Sequence, residues 1–274
     1  MTKTFELETG TLHALELGAG KPLLFLHGFP DHPPTAQRFF DELASRGFRV
    51  LAPWLPGYAP SPTDGPMTTS RVARDLLALL ESWSPGAPVD IVGHDWGAVM
   101  TYVLCASAPD RFHRAVTMAV PHPRTFARQL RTAKQLRASW YMAFFQLPGS
   151  ARVTAARDFA LVDRLWRTWS PTFALPDDQR AALHACLAQS MPAPLRWYRA
   201  AARDRSGMQL FRSPITTPLL YLHGADDGCI VPPTVDDSRR FTEYERAVLE
   251  DLGHFLHLED PAGVAERVAT WLAH

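Results

Sequence analysis

The sequence predicts an α/β fold: a mostly parallel central sheet flanked by helices on both faces and interrupted by a helical insertion. Three observations carry this expectation. Short apolar runs alternate with helix-period segments through the first 120 residues, as a parallel sheet with helical crossovers requires. The alternation stops between Arg124 and about Ser213, where arginine- and aromatic-rich helical segments are punctuated by Pro148-Gly149, Pro171, Pro176, Pro192 and Pro194. It resumes with apolar runs at Pro218–Leu222 and Arg246–Leu249.

Taken in order, Thr4–Leu7 and Leu12–Leu17 are expected as opening strands, and Pro22–Leu26 as a compact buried one. A helix over Ala36–Arg46 closes at Gly47, and Arg49–Ala52 is the next strand. After a Pro/Gly loop, Ser70–Ser82 carries apolar residues at 72, 76, 79 and 80, one face of a helix. Val89–Val92 and Ala115–Met118 read as strands, with a helix at Ala98–Ala108 between them. The last helix starts at Pro261, a favourable first-turn residue, and runs to Leu272. The implied organisation is a core of residues 1–123 and 214–274 with a helical cap at 124–213.

Bulk properties narrow the function classes. The 274 residues are 46% hydrophobic and 20% charged with zero formal net charge, so no global field favours nucleic acid or anionic membranes. The nine basic residues between Arg124 and Thr168 read as a solvated helix surface. Cys105, Cys186 and Cys229 have neither metal-ligand spacing nor a disulfide framework, which fits a reducing compartment. Met1–Thr9 lacks a signal-type apolar block, and no apolar run reaches the ~20 residues a spanning helix needs. A cytoplasmic protein with no membrane span is expected; a homodimer is compatible with the sequence.

The chemistry is concentrated at Val92-Gly93-His94-Asp95-Trp96-Gly97-Ala98. An apolar strand leads in and a helix leads out, and the small residues on either side of Asp95 permit a sharp G-x-nucleophile-x-G bend. With aspartate at its centre, the turn presents a group that is ionised at neutral pH and needs no base. Such a carboxylate can attack a saturated carbon and form an ester on the enzyme. Hydrolysing that ester requires a base and a partner to hold it. Asp227 follows the strand Pro218–Leu222, and His254 follows the later strand. The order nucleophile, acid, histidine is that of the α/β-hydrolase fold. His27-Gly28-Phe29-Pro30 follows the first central strand and is expected to form an oxyanion hole from the backbone N–H groups of Phe29 and Trp96.

These motifs resemble those of α/β-hydrolase-fold epoxide hydrolases across nearly the whole chain: HGFPD at 27–31, GHDWGA at 93–98, PHP at 121–123, GADDGCIVP at 224–232 and GHFLHLEDP at 253–261. The resemblance implies Asp227 rather than Asp226 as the acid, from its offsets to Gly224 and Pro232, and His254 rather than His257 as the base. His257 is expected to pack or cap, and His94 to support the turn. Two cap segments, 139–149 and 196–199, resemble those that carry the family's tyrosines. By that match Tyr141 and Tyr198 hydrogen-bond the epoxide oxygen, whose alkoxide needs a proton as the ring opens. Phe29, Pro30, Trp96, Trp140, Phe144, Trp197 and Phe255 are expected to line an apolar substrate pocket. The segment Trp54-Leu55-Pro56-Gly57-Tyr58-Ala59 departs from the family's aspartate followed by a G-Y-G turn, which bears on pocket shape.

The expected reaction converts an apolar epoxide and water into a vicinal diol, without metal or organic cofactor. Two rivals remain. A haloalkane dehalogenase would use the same Asp95 ester with Trp96 as a halide donor, and a silent member of the fold would serve only as a binding protein.

Overall fold

The computed structural model describes residues 1–203 and 207–274. Its strands are β1 (Thr2–Leu7), β2 (Gly10–Leu17), β3 (Lys21–Leu26), β4 (Phe48–Pro53), β5 (Val89–His94), β6 (Phe112–Met118), β7 (Leu219–Gly224) and β8 (Tyr244–Leu249). They form one eight-stranded sheet in the order β1-β2-β4-β3-β5-β6-β7-β8. β2 pairs antiparallel with both β1 and β4, and every pairing from β4 through to β8 is parallel. The central strands are buried on both faces, which explains their apolar runs: Leu23 to Leu26 of β3 are fully buried, as are Val89, Ile91 and Val92 of β5 on either side of Asp90. Each such leucine contributes roughly 1.5–3 kcal/mol by leaving water. Lys21 ties the start of β3 to β5 through an ion pair with buried Asp90, 2.8 Å apart.

Helices α1 (Gln37–Ser45), α2 (Thr69–Trp83) and α3 (Trp96–Ser107) connect the parallel strands. Thr68 caps α2 by accepting from the N–H of Arg71. α3 is apolar on nearly all sides because it follows β5 into the middle of the layer, burying Met100, Tyr102, Leu104 and Cys105.

Between β6 and β7 the described residues form helices and no strand: α4 (Pro123–Gln129), α5 (Ala133–Ala138), α6 (Trp140–Phe144), α7 (Ser150–Trp169), α8 (Asp177–Ser190) and α9 (Ala193–Arg203). α7 is broken at residues 156–159, where Arg157, Asp158 and Phe159 take left-handed backbone angles. α10 (Leu256–Glu259) and α11 (Pro261–Leu272) close the chain. Asp260 caps α11 with Pro261 in its first turn. No described helix is long and apolar enough to cross a membrane.

The helical segment is pinned to the sheet's loops by specific hydrogen bonds. The Trp197 indole donates to the Pro56 carbonyl at 2.9 Å, and the Ala59 N–H donates to Ser190 Oγ at 2.9 Å. The unusual loop at 54–59 is thus the seat on which α8 and α9 rest. Trp166 donates to the Pro30 carbonyl at 3.0 Å and stacks on Phe255 with ring centroids 3.6 Å apart.

Candidate active site

Asp95 sits at the tip of the β5–α3 turn with φ 51° and ψ −117°, left-handed backbone that a non-glycine residue adopts only under constraint. Strain of this kind costs on the order of 1–3 kcal/mol and concentrates at functional positions. The constraint comes from packing beneath the turn. A Cβ on Gly97 would lie 1.9 Å from the Leu26 carbonyl oxygen, so only glycine lets α3 pass this close to β3. Gly28 faces the same demand from the other side, since a Cβ there would lie 2.3 Å from Asp95 Oδ1.

That closeness delivers a backbone donor. The Phe29 N–H donates to Asp95 Oδ1 at 2.7 Å. Trp96 is the first residue of α3, so its N–H has no acceptor within the helix. His254 reaches the other carboxylate oxygen, with Nε2 3.7 Å from Asp95 Oδ2, a charge contact longer than a hydrogen bond. On its far side His254 Nδ1 is 2.9 Å from Asp227 Oδ2. The other Asp227 oxygen accepts from the N–H groups of Cys229 and Ile230 at 2.7 and 2.8 Å. Asp227 is buried, whereas Asp226 is exposed.

The electrostatics follow from this geometry. Burial raises the cost of charging both partners, yet the facing imidazole holds Asp227 below the usual carboxylate range. Burial alone would lower His254, but Asp227 first and Asp95 second carry it up to about 10. The surrounding histidines go the other way: burial lowers His27 to about 4 and His94 to about 3. Both are therefore neutral and structural in their bonding. His27 Nε2 accepts from the Leu55 N–H, and His94 Nε2 donates to the His254 carbonyl, 2.9 Å away. His257 packs against Phe25, Phe39 and His94.

Asp95 opens onto a cavity of about 570 Å³ whose walls include Trp96, Tyr141 and Tyr198. The two phenols are fully buried with ring centroids 5.7 Å apart. Burial raises both well above the ordinary phenol range, so both stay protonated. Tyr141 Oη lies 3.2 Å from Cys229 Sγ. The Trp96 indole N–H faces the Tyr198 hydroxyl, and neither makes a full hydrogen bond to another described residue. Val99, Val103, Val120, Phe126 and Leu130 make the rest of the cavity largely apolar.

The chain as a whole has relatives among known proteins. The alpha/beta hydrolase fold family model matches residues 21–261. The chain belongs to that family. An epoxide hydrolase from Caballeronia sordidicola is 28% identical over 98% of this chain and 93% of its own. Epoxide hydrolase 3 from Siraitia grosvenorii is 35% identical, over 56% of this chain and 48% of that one. The solved structure of a Bacillus megaterium epoxide hydrolase with an inhibitor superposes with a TM-score of 0.87 at 23% identity, covering 99% of this chain and 100% of that one.

Within this hydrolase fold, Asp95, Asp227, His254 and the Phe29 N–H converge, and Tyr141 and Tyr198 face the same cavity as Asp95. Of the expected pocket residues, Trp96 and Trp140 line the cavity. Five others do not, each for a packing reason. Phe29 places its ring against Phe145 and Tyr198, behind the wall. Pro30 offers its carbonyl to Trp166, and Phe255 stacks on that same indole. Trp197 is turned to the 54–59 loop by its bond to Pro56. Phe144 lies on the outer side of α6, where its ring meets Trp140; its neighbour Phe145 is the buried one.

Three contributors were given no role by the sequence, although Asp31 closes the HGFPD stretch. The Trp169 carbonyl accepts from both the His254 and Gly228 N–H groups, at 3.0 and 3.1 Å, bridging the histidine and acid loops. Asp31 is buried and accepts from the Thr35 hydroxyl and the His32 N–H, and burial raises it to about 7. Gln135, buried on α5, bonds to the loop after Asp227.

Proposed function

We propose that the chain is an epoxide hydrolase that forms and then hydrolyses an ester on Asp95. In the first step the carboxylate attacks an epoxide carbon, the ring C–O bond breaks, and the oxygen takes a proton from Tyr198 or Tyr141. In the second, His254 removes a proton from water as the water oxygen adds to the ester carbonyl carbon. The resulting oxyanion lies where the Phe29 and Trp96 N–H groups can donate, and loss of one such donor typically costs about 10²–10³-fold. Collapse expels the diol, which is protonated by the His254 imidazolium; the proton left on the Asp95 carboxyl departs, and one returns to the tyrosine.

Esterification of Asp95 also prepares the base. The pull that holds His254 up to about 10 comes partly from the Asp95 charge. Alkylation removes that charge, so the neutral imidazole becomes easier to reach when it is needed.

The observation that carries the reading is the pair of buried, protonated phenols on the wall of the cavity that holds Asp95. An alkoxide leaving group requires a proton; a halide does not. The names of the relatives agree. Apolar walls and a volume of about 570 Å³ suit an aryl or alkyl epoxide. One observation favours a second reading: the Trp96 indole N–H is buried at the cavity without a full hydrogen bond, as a halide-binding donor in a dehalogenase would be. Incubation with styrene oxide and, separately, a chloroalkane decides between them. Diol without halide release is expected; halide release without diol would sink the epoxide reading.

A further inference from the structure

Cys229 is fully buried two residues after Asp227, and all of its polar groups are engaged. Its N–H donates to Asp227 Oδ1 at 2.7 Å, its carbonyl accepts from Gln135 Nε2 at 3.0 Å, and its sulfur lies 3.2 Å from Tyr141 Oη. We propose that Cys229 is a positioning residue for Tyr141, its sulfur holding the phenolic oxygen and its S–H donating to that oxygen as the phenolic proton passes to the epoxide oxygen. The inference rests on the epoxide hydrolase reading above.

Either atom can donate across this contact. In the resting site burial and the bond to Cys229 both hold the phenol protonated, the phenol donating to sulfur. Burial pushes the Cys229 thiol well above its ordinary range, which keeps its own proton on sulfur. As the phenolic proton passes to the epoxide oxygen, the oxygen left behind can accept from that S–H, which steadies the developing phenolate.

The backbone around Cys229 makes the contact rigid. Gln135 Oε1 accepts from the Val231 N–H at 2.9 Å, so one buried side chain clamps both sides of the loop. Its amide also donates to Ser139 Oγ at 2.9 Å, two residues before Tyr141. The loop that holds Asp227 therefore also fixes α5 and the approach to α6, and the thiol is its direct contact with the phenol. Tyr198 has no such thiol beside it: its hydroxyl faces the Trp96 indole.

The two tyrosines are thus expected to respond differently. Single-turnover stopped-flow with styrene oxide separates formation of the Asp95 ester from its hydrolysis, using the wild type, Cys229→Ala, Cys229→Ser, Tyr141→Phe and the Cys229→Ala/Tyr141→Phe pair. Cys229→Ala is expected to slow ester formation about three- to tenfold, the effect of one weak hydrogen bond, with hydrolysis little changed. Cys229→Ser, which keeps a donor, should recover most of the rate. In the Tyr141→Phe background Cys229→Ala should add nothing. Full additivity of the two substitutions, or equal slowing of both steps, would overturn the proposal. Failure of the wild type to form any ester would instead overturn the epoxide hydrolase reading on which it rests.

Discussion

Removing the Tyr198 hydroxyl should slow ester formation while leaving stability and ester hydrolysis nearly unchanged. The phenol is 3% exposed and its oxygen makes no full hydrogen bond to a described residue. Its ring is held by Phe29, Trp96, Tyr141 and Phe145, contacts that phenylalanine would keep. Tyr198→Phe therefore deletes only a polar group that faces the cavity and the Trp96 indole, and stability should change by less than about 1 kcal/mol. In a chain of this size that shifts Tm by less than about 4 °C. Ester formation should fall about 10–10²-fold, less than the full ~10²–10⁴-fold of a positioned acid because Tyr141 remains. Ester hydrolysis, which needs no phenol, should change little. Thermal melts and stopped-flow ester formation measure the two quantities separately. A large fall in Tm would show that the substitution disturbs packing and not proton donation alone. Equal slowing of both steps would refute its role as proton donor.

Other outcomes follow from the same geometry. Asp227→Asn removes the carboxylate 2.9 Å from His254 Nδ1, so the imidazole titration followed by NMR should fall from about 10 toward its ordinary 6.5. Because the folded value is raised, His254 stabilises the wild type most below about pH 6.5 and loses that contribution as the pH climbs to about 10. A denaturant series across that range should show the decline, shallower in Asp227→Asn. Gly97→Ala places a methyl 1.9 Å from the Leu26 carbonyl and should destabilise by more than about 3 kcal/mol in urea. Trp166→Ala loses the stack on Phe255 and the bond to Pro30, a truncation that should cost about 3–5 kcal/mol by the same assay.

The sheet was legible because its central strands are buried on both faces and read as largely apolar runs, broken in β5 by Asp90, which Lys21 pairs. The Asp95 turn was legible because glycine on both sides is a steric requirement, visible in the close approach of Gly97 to β3. Motif offsets singled out Asp227, and the structure buries it while leaving Asp226 in solvent. The pocket lining was harder to read. α6 has five residues, too few for a helical phase, so Phe144 and Phe145 could not be told apart by periodicity. Trp197, Phe255 and Pro30 missed the cavity because their partners are backbone carbonyls and rings far away in sequence. The Trp169 carbonyl left no trace either, since a main-chain acceptor has no residue type. Gln135 gave no signal, and Cys229 stood only within the GADDGCIVP stretch without a role, because their roles arise only where the cap meets the loop after Asp227.

The claim on which everything rests is that Asp95 carries a covalent ester derived from an epoxide. His254→Gln should form that ester and fail to hydrolyse it. After incubation with styrene oxide, mass spectrometry of the peptide containing Asp95 should show a gain equal to the whole epoxide. No adduct across a panel of epoxides, or an adduct only from a haloalkane, would contradict the account.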